Sequence, residues 1–251
     1  MSVTKAVLLA AGRGTRLGAL TANFPKPLLT VGGRPIIAHI LDGLVAAGIE
    51  DVVVVTGHFA SLVEAELGNG EPSGLRLKYV RQERLEGTAR ALSLAREFCG
   101  DEQFFFSWGD ILVRPENYRV VLQSARFAEH VLAVNEVEDP ASGAAVYVDK
   151  PAKLAVGEPA RVVGMVEKPA PGTSTTRWNN AGFGVLGPAI WDAIERLEPS
   201  PRGEYELPQA MAALIEGGAD VRAVPVTGPW FDVGTSDDLE AARAEFRGHS
   251  R

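Results

Sequence analysis

Three cations stand among glycines and prolines near the start of the chain in an arrangement suited to polyphosphate. The apolar run Ala6-Val7-Leu8-Leu9-Ala10-Ala11 feeds Gly12-Arg13-Gly14-Thr15-Arg16-Leu17, and Pro25-Lys26-Pro27-Leu28 follows. A buried strand that ends in glycines brings bare backbone N–H groups against phosphate oxygens, because no Cβ holds the ligand away. Arg13, Arg16 and Lys26 add positive charge at the same mouth. Pro25 and Pro27 fix two φ angles and predict an extended Lys26. Two commoner glycine loops are excluded by spacing. The dinucleotide fingerprint needs a glycine where Leu17 stands, and a Walker A loop needs Gly-Lys-Ser/Thr, which does not follow.

Two carboxylates complement the cations. Asp110 comes directly after the apolar segment Phe104-Phe105-Phe106 and Gly109, and Asp232 lies in Trp230-Phe231-Asp232-Val233-Gly234. Each alone reads equally well as a turn-forming or helix-capping aspartate. Together they supply what magnesium takes from a protein, one or two carboxylates with substrate phosphates completing the shell.

The elements that must position these residues alternate through the first half, the pattern of an α/β sheet covered on both faces. Pro35 opens a helix carrying Ile36, Ile37, Ile40, Leu41, Leu44 and Val45 and closed by Gly48, and Val52–Val55 is a buried strand. A helix through Leu62, Val63 and Leu67 and a strand over Leu75–Val80 come next. Thr88 is the expected N-cap of a helix with Ala91, Leu92, Ala95 and Phe98 on one face. In the second half, Val131–Val137, Ala144–Val148, Val162–Val166, Phe183–Leu186 and Val221–Val226 read as strands. Pro208 opens a helix that stops at Gly217-Gly218, and Ser236 starts the last one.

Composition narrows the class. The chain has 251 residues, 46% of them hydrophobic, and a net charge of −7. It has no basic stripe for nucleic acid and no stretch long enough for a membrane span. The single Cys99 excludes an intramolecular disulfide and suits a reducing, cytoplasmic compartment.

Taken together, Leu9-Ala10-Ala11-Gly12-x-Gly14-Thr15-Arg16-Leu17 and Pro25-Lys26-Pro27-Leu28 resemble the signature of the sugar-1-phosphate nucleotidylyltransferases. The form is a short one, similar to glucose-1-phosphate thymidylyl- and uridylyltransferases. The likeness continues in the family's order through Gln82 with Gly87-Thr88, Gly109-Asp110, Glu167-Lys168-Pro169, Asn180-Ala181-Gly182 and Trp230 to Gly234. The resemblance implies a Rossmann-like three-layer α/β/α fold with a mainly parallel mixed sheet. It also implies one nucleotidyltransferase domain over residues 1–251, with a nucleotide half (1–110) and a sugar half (111–251).

The implied reaction joins a nucleoside triphosphate, UTP or dTTP, to a sugar 1-phosphate and releases pyrophosphate, with Mg2+ as cofactor. Arg16 and Lys26 would be catalytic. Leu9, Ala11, Gly12, Gly14 and Thr15, with Arg16, would hold the nucleotide, and Gln82, Gly87 and Thr88 its base. Gly143, Glu167, Lys168 and Asn180 would bind the sugar phosphate, while Asp110 and Asp232 hold the metal. An alanine at Arg16 is expected to fold with little change in stability, and an alanine at Lys26 is expected to lose turnover. Ser142 stands where relatives commonly carry tyrosine, and the insertion from Lys150 to Pro159 is expected to shape the sugar pocket. The chain ends soon after Asp232, so the acetyltransferase repeats of bifunctional relatives are expected to be absent. Homo-oligomerisation stays open. Two other readings stay open too: a cytidylyltransferase acting on a non-sugar phosphate such as phosphocholine or inositol phosphate, and a catalytically silent regulatory subunit.

Overall fold

The computed structural model describes residues 3–150 and 154–247. The first half builds β1 (Lys5–Ala10), the short hairpin β2 (Thr30–Val31) and β3 (Arg34–Pro35), then α1 (Ile36–Ala46), β4 (Asp51–Thr56), α2 (Ala60–Leu67) and β5 (Arg76–Arg81). Next come α3 (Thr88–Ser93), α4 (Arg96–Cys99), β6 (Phe104–Trp108), β7 (Ile111–Val113) and α5 (Glu116–Ser124). The second half adds β8 (His130–Glu136), β9 (Ala144–Val148), β10 (Ala160–Glu167), β11 (Trp178–Leu186), α6 (Ala189–Glu195), α7 (Leu207–Glu216), β12 (Val221–Pro225), β13 (Trp230–Asp232) and α8 (Ser236–Glu245).

Nine strands form one mixed sheet in the order β5-β4-β1-β6-β11-β8-β12-β10-β9. β5, β4, β1 and β6 run parallel, as does the β12–β8 pair, while β11, β10 and β9 pair antiparallel with their neighbours. The α/β architecture expected from the sequence is the one observed, with the parallel pairings concentrated in the first half.

A hydrophobic core lies on each face of this sheet. The triplet Phe104-Phe105-Phe106 explains why both cores are continuous with β6. Successive side chains of a strand point to opposite faces. Phe105 meets Tyr118 edge-on at 5.4 Å in one core, and Phe104 stacks on Trp191 at 5.1 Å in the other. Full burial of each ring contributes roughly 1.5–3 kcal/mol. Gly43 lets α1 approach α5, because a Cβ there would collide with the Tyr118 ring.

Local differences from the sequence reading have physical causes. Lys26 is not extended: it opens a 3₁₀ turn over Lys26–Leu28, with the extended Pro25 before it and Pro27 at a position whose missing N–H is tolerated. Thr88 is the first helical residue of α3 rather than its cap, and the glycine at 87 takes the cap position with φ 104°. The last helix is capped by Thr235, which exchanges hydrogen bonds with Asp238 in a capping box. Of the 150–159 insertion, residues 151–153 lie outside the described residues. Leu154 is buried in a core, and residues 154–159 border neither cavity described below. No helix among the described residues is long and apolar enough to cross a membrane.

Candidate active site

The carboxyl ends of β1 and β6, with Gln82 just beyond β5, open into a cavity of about 600 Å³, and a second of about 300 Å³ adjoins it. Ligands of open α/β sheets bind at this edge. Leu9, Ala11, Gly12, Gly14, Thr15 and Lys26 all border the larger cavity, with Gln82, Gly87 and Thr88 on its far wall. Arg16 does not join them. It borders the smaller cavity, its guanidinium so close to Gly234 that a Cβ there would come within 2.8 Å of Nη2.

Gly14 adopts the left-handed conformation (φ 65°), and the chain then turns into the 3₁₀ segment Thr15–Leu20. A Cβ at Gly14 would sit 3.1 Å from Thr21 Cγ2 and 3.2 Å from Lys26 Cβ. The glycine therefore brings the loop onto the lysine that follows it. Across the cavity, Gln82 is 8% exposed, and its Nε2 donates to the Gly87 carbonyl at 3.1 Å. That bond orients the amide and leaves its carbonyl and second N–H for a ligand.

Asp110 and Asp232, 122 positions apart in sequence, are joined by a two-stranded ribbon that the sequence reading missed. β13 pairs antiparallel with β7, Asp232 opposite Ile111, and the Val233 N–H donates to the Asp110 carbonyl at 3.1 Å. Lys26 reaches between the two aspartates. Its ammonium pairs with Asp110 and lies 3.9 Å from Asp232 Oδ1. Burial, and then the Asp110 charge, push the Asp232 carboxyl up to about 6 against the pull of Lys26 and Arg16.

Two converging carboxylates fit a magnesium ion that completes its shell with phosphate oxygens and water. They do not fit a cation that needs an all-protein cage, since no group of three or more His, Cys, Asp or Glu side chains among the described residues could hold a metal.

The smaller cavity gathers Gly143, Glu167, Lys168 and Asn180. A register shift in β11 between Asn180 and Gly184 bends the strand there, and Asn180 Oδ1 accepts from the Gly182 N–H at 3.2 Å. The Lys168 N–H donates to the Gly143 carbonyl at 2.7 Å. Lys168 has φ 44°, a left-handed conformation costly for a side-chain-bearing residue. Its Nζ stands 3.7 Å from Glu167 Oε1.

Arg202 and Glu206 also border this cavity, and sequence reading assigned them no role. Arg202 Nε donates to Glu206 Oε1 at 3.0 Å and its Nη2 to Glu167 Oε1 at 3.4 Å. Ser200 Oγ donates to Glu206 Oε1 at 2.8 Å. Burial, and then the hydrogen bond to Glu206, push Glu167 up to about 7, against the pull of Lys168 and Arg202. Burial also raises Glu206, but its bonds from Arg202, Ser200 and Glu167 outweigh that and hold it below the ordinary carboxylate range. The signal available in sequence is Glu204-Tyr205-Glu206-Leu207, which matches a stretch of the resembled family and reads there as structural.

The larger cavity thus joins glycine N–H groups to a buried ammonium, and the smaller one joins cations to carboxylates and side-chain amides. Aspartates stand at the junction. The arrangement can hold two phosphorylated molecules end to end.

Known proteins are similar to this chain in sequence and in fold. The nucleotidyl transferase family model matches residues 5–247. A glucose-1-phosphate thymidylyltransferase of Streptomyces antibioticus is 33% identical over 238 residues, which are 94% of this chain and 64% of the relative. The chain therefore spans just under two thirds of that protein's length. A UTP–glucose-1-phosphate uridylyltransferase of Haloferax volcanii is 34% identical over 240 residues, 95% of this chain and 94% of the relative. A crystal structure of UDP-glucose pyrophosphorylase complexed with UDP-glucose superposes with a TM-score of 0.85 at 20% identity, covering 97% of this chain and 98% of that one. At that identity the likeness speaks for the fold.

Proposed function

Because the chain belongs to the nucleotidyl transferase family, we propose that it condenses a nucleoside triphosphate, UTP or dTTP, with a sugar 1-phosphate to give a nucleoside-diphosphate sugar and pyrophosphate. The curated relatives named above carry such activities in their names. The observation that carries the reading is Lys26, buried between Asp110 and Asp232 where the two cavities meet.

In this reading residues 1–110 hold the nucleotide and residues 111–251 the acceptor. The glycine N–H groups of the 12–15 loop take the triphosphate oxygens, and Gln82 faces the base. Glu167 and Asn180 take sugar hydroxyls, and Lys168, helped by Arg202, takes the acceptor phosphate as a cation. An oxygen of that phosphate attacks the α-phosphorus, the bond from α-phosphorus to the bridging oxygen breaks, and pyrophosphate leaves with the bond's electrons.

The attacking phosphate is already ionised at neutral pH, so no side chain has to remove a proton. Alignment and charge stabilisation then carry the rate. Lys26 and Arg16 supply the cations beside the reacting phosphates. Asp110 and Asp232 would hold Mg2+, which when bound neutralises charge on the phosphate oxygens. The partners in this reading are small anions, and the single buried Cys99, its thiol pushed up to about 12 by burial, suits the cytoplasm.

A screen of pyrophosphate release, with nucleoside triphosphates crossed against sugar 1-phosphates and phosphocholine, tests the proposal. Release with UTP or dTTP and a hexose 1-phosphate is expected. Release only with CTP and phosphocholine would move the assignment to the non-sugar acceptors, and release with no pair would favour a silent subunit.

A further inference from the structure

Thr88 borders both cavities. Its hydroxyl is committed to a bond that a nucleotide-binding role does not explain: Thr88 Oγ1 accepts from the Leu207 N–H at 2.9 Å. Leu207 is the first residue of α7, whose cap residue Glu206 makes no side-chain capping bond, and Pro208 follows with no N–H. The first N–H groups of a helix have no partner within it. Thr88 therefore caps α7 from another element, 119 residues away in sequence.

This bond ends a short ladder. The Tyr205 N–H donates to the Glu86 carbonyl at 2.8 Å, and the Ala89 N–H donates to the Tyr205 carbonyl at 2.9 Å. A Cβ at Gly87 would collide with the Tyr205 backbone, so the glycine permits the approach. The Arg90 guanidinium sits 4.0 Å over the Tyr205 ring. The turn that walls the nucleotide cavity is thus stitched to residues 205–207. The same segment carries Glu206, whose partner Arg202 reaches Glu167.

We propose that Thr88 is a positioning residue for the acceptor: its hydroxyl fixes the start of α7 and so holds Glu206 and Arg202 toward the acceptor cavity. The inference rests on the function proposed above and adds that a residue of the nucleotide half sets affinity in the other half. Its test is the pair Thr88→Val and Thr88→Ser, with both Michaelis constants measured by pyrophosphate release.

Valine keeps the shape and loses the acceptor atom. The acceptor KM should rise on the order of tenfold, the scale of losing one helix cap, and by clearly more than the triphosphate KM. Serine should restore the parent value. Should the valine variant fail to fold, Arg90→Gln, which loosens Tyr205, is expected to give the same split at smaller size. A rise in the triphosphate KM alone, an equal rise in both constants, or no change in either would overturn the proposal. An inactive parent enzyme would instead defeat the assigned reaction itself, and this inference with it.

Discussion

Replacing Lys26 by alanine separates the roles of charge and packing at the junction of the cavities. The Lys26 side chain is 10% exposed and its Asp110 partner 22%. Removing the ammonium leaves two neighbouring carboxylates without their shared cation. The breaking of a fully buried pair costs about 3–5 kcal/mol. Asp110 and Asp232 both reach solvent, so a loss of about 1–3 kcal/mol is expected here.

The catalytic loss should be separate and larger. Removal of one preorganised donor at a site of developing charge lowers turnover by roughly 10²–10³, about 3–4 kcal/mol. Urea unfolding without metal reads the first quantity, and pyrophosphate release at saturating substrates reads the second. Lys26→Arg should recover stability while leaving turnover low, since a planar guanidinium does not reproduce an ammonium between two carboxylates. An alanine variant with parental turnover would refute the reasoning whatever its stability.

Other consequences follow from the same geometry. Glu167 titrates near 7, and its ionised form is the stronger acceptor for hydroxyl donors. The acceptor KM should therefore fall as pH rises through 7, and Glu167→Gln should abolish that step, leaving only the titration of the substrate phosphate; a step that survives in the glutamine variant would contradict the assignment. Asp232→Asn should raise the magnesium concentration needed for half-maximal rate far more than either substrate KM, measured by metal titration. An unchanged metal requirement would remove Asp232 from the metal site.

His130 is fully buried and accepts from the Gly187 N–H through Nδ1, while its Nε2 makes no hydrogen bond and stands 3.7 Å from Glu129 Oε1. Burial lowers its pKa below the ordinary 6.5, so the unfolded chain takes up the proton first. The neutral ring's contribution to stability is complete above pH 6.5 and is lost as pH falls below it. His130→Gln should flatten that limb of the urea-unfolding profile, and an unchanged profile would exclude it as the cause.

How much of this was legible in the sequence depended on whether a feature was local. The cradle is a strand, a glycine turn and a lysine within 30 residues, and each announces itself by residue type. Periodicity found most strands, and Ala144–Val148 matches at both ends. The α5 and α6 helices were missed because short helices carry few repeats of the 3.6-residue pattern.

The β7–β13 ribbon was missed for a different reason. Three-residue strands have no usable alternation, and their pairing is decided by tertiary packing, yet this ribbon is what joins Asp110 to Asp232. Thr88 was visible as a helix-start residue, but the N–H it accepts from lay 119 positions away. Arg202 and Glu206 gain their meaning from Glu167, which comes from another strand. Residue types were readable where chemistry is local, and their partners were not where the fold supplies them.

The central claim is that two polyanions are aligned by cations and a metal with no proton abstraction by the protein. It is tested most directly by following a triphosphate labelled at the α-phosphorus through one turnover with a sugar 1-phosphate and Mg2+. The account predicts that all of the label enters the nucleoside-diphosphate sugar, that unlabelled pyrophosphate is released, and that the maximal rate at saturating Mg2+ and substrates shows no acid limb from a protein base across neutral pH. Label appearing in the departing phosphates, or on the protein, would contradict it.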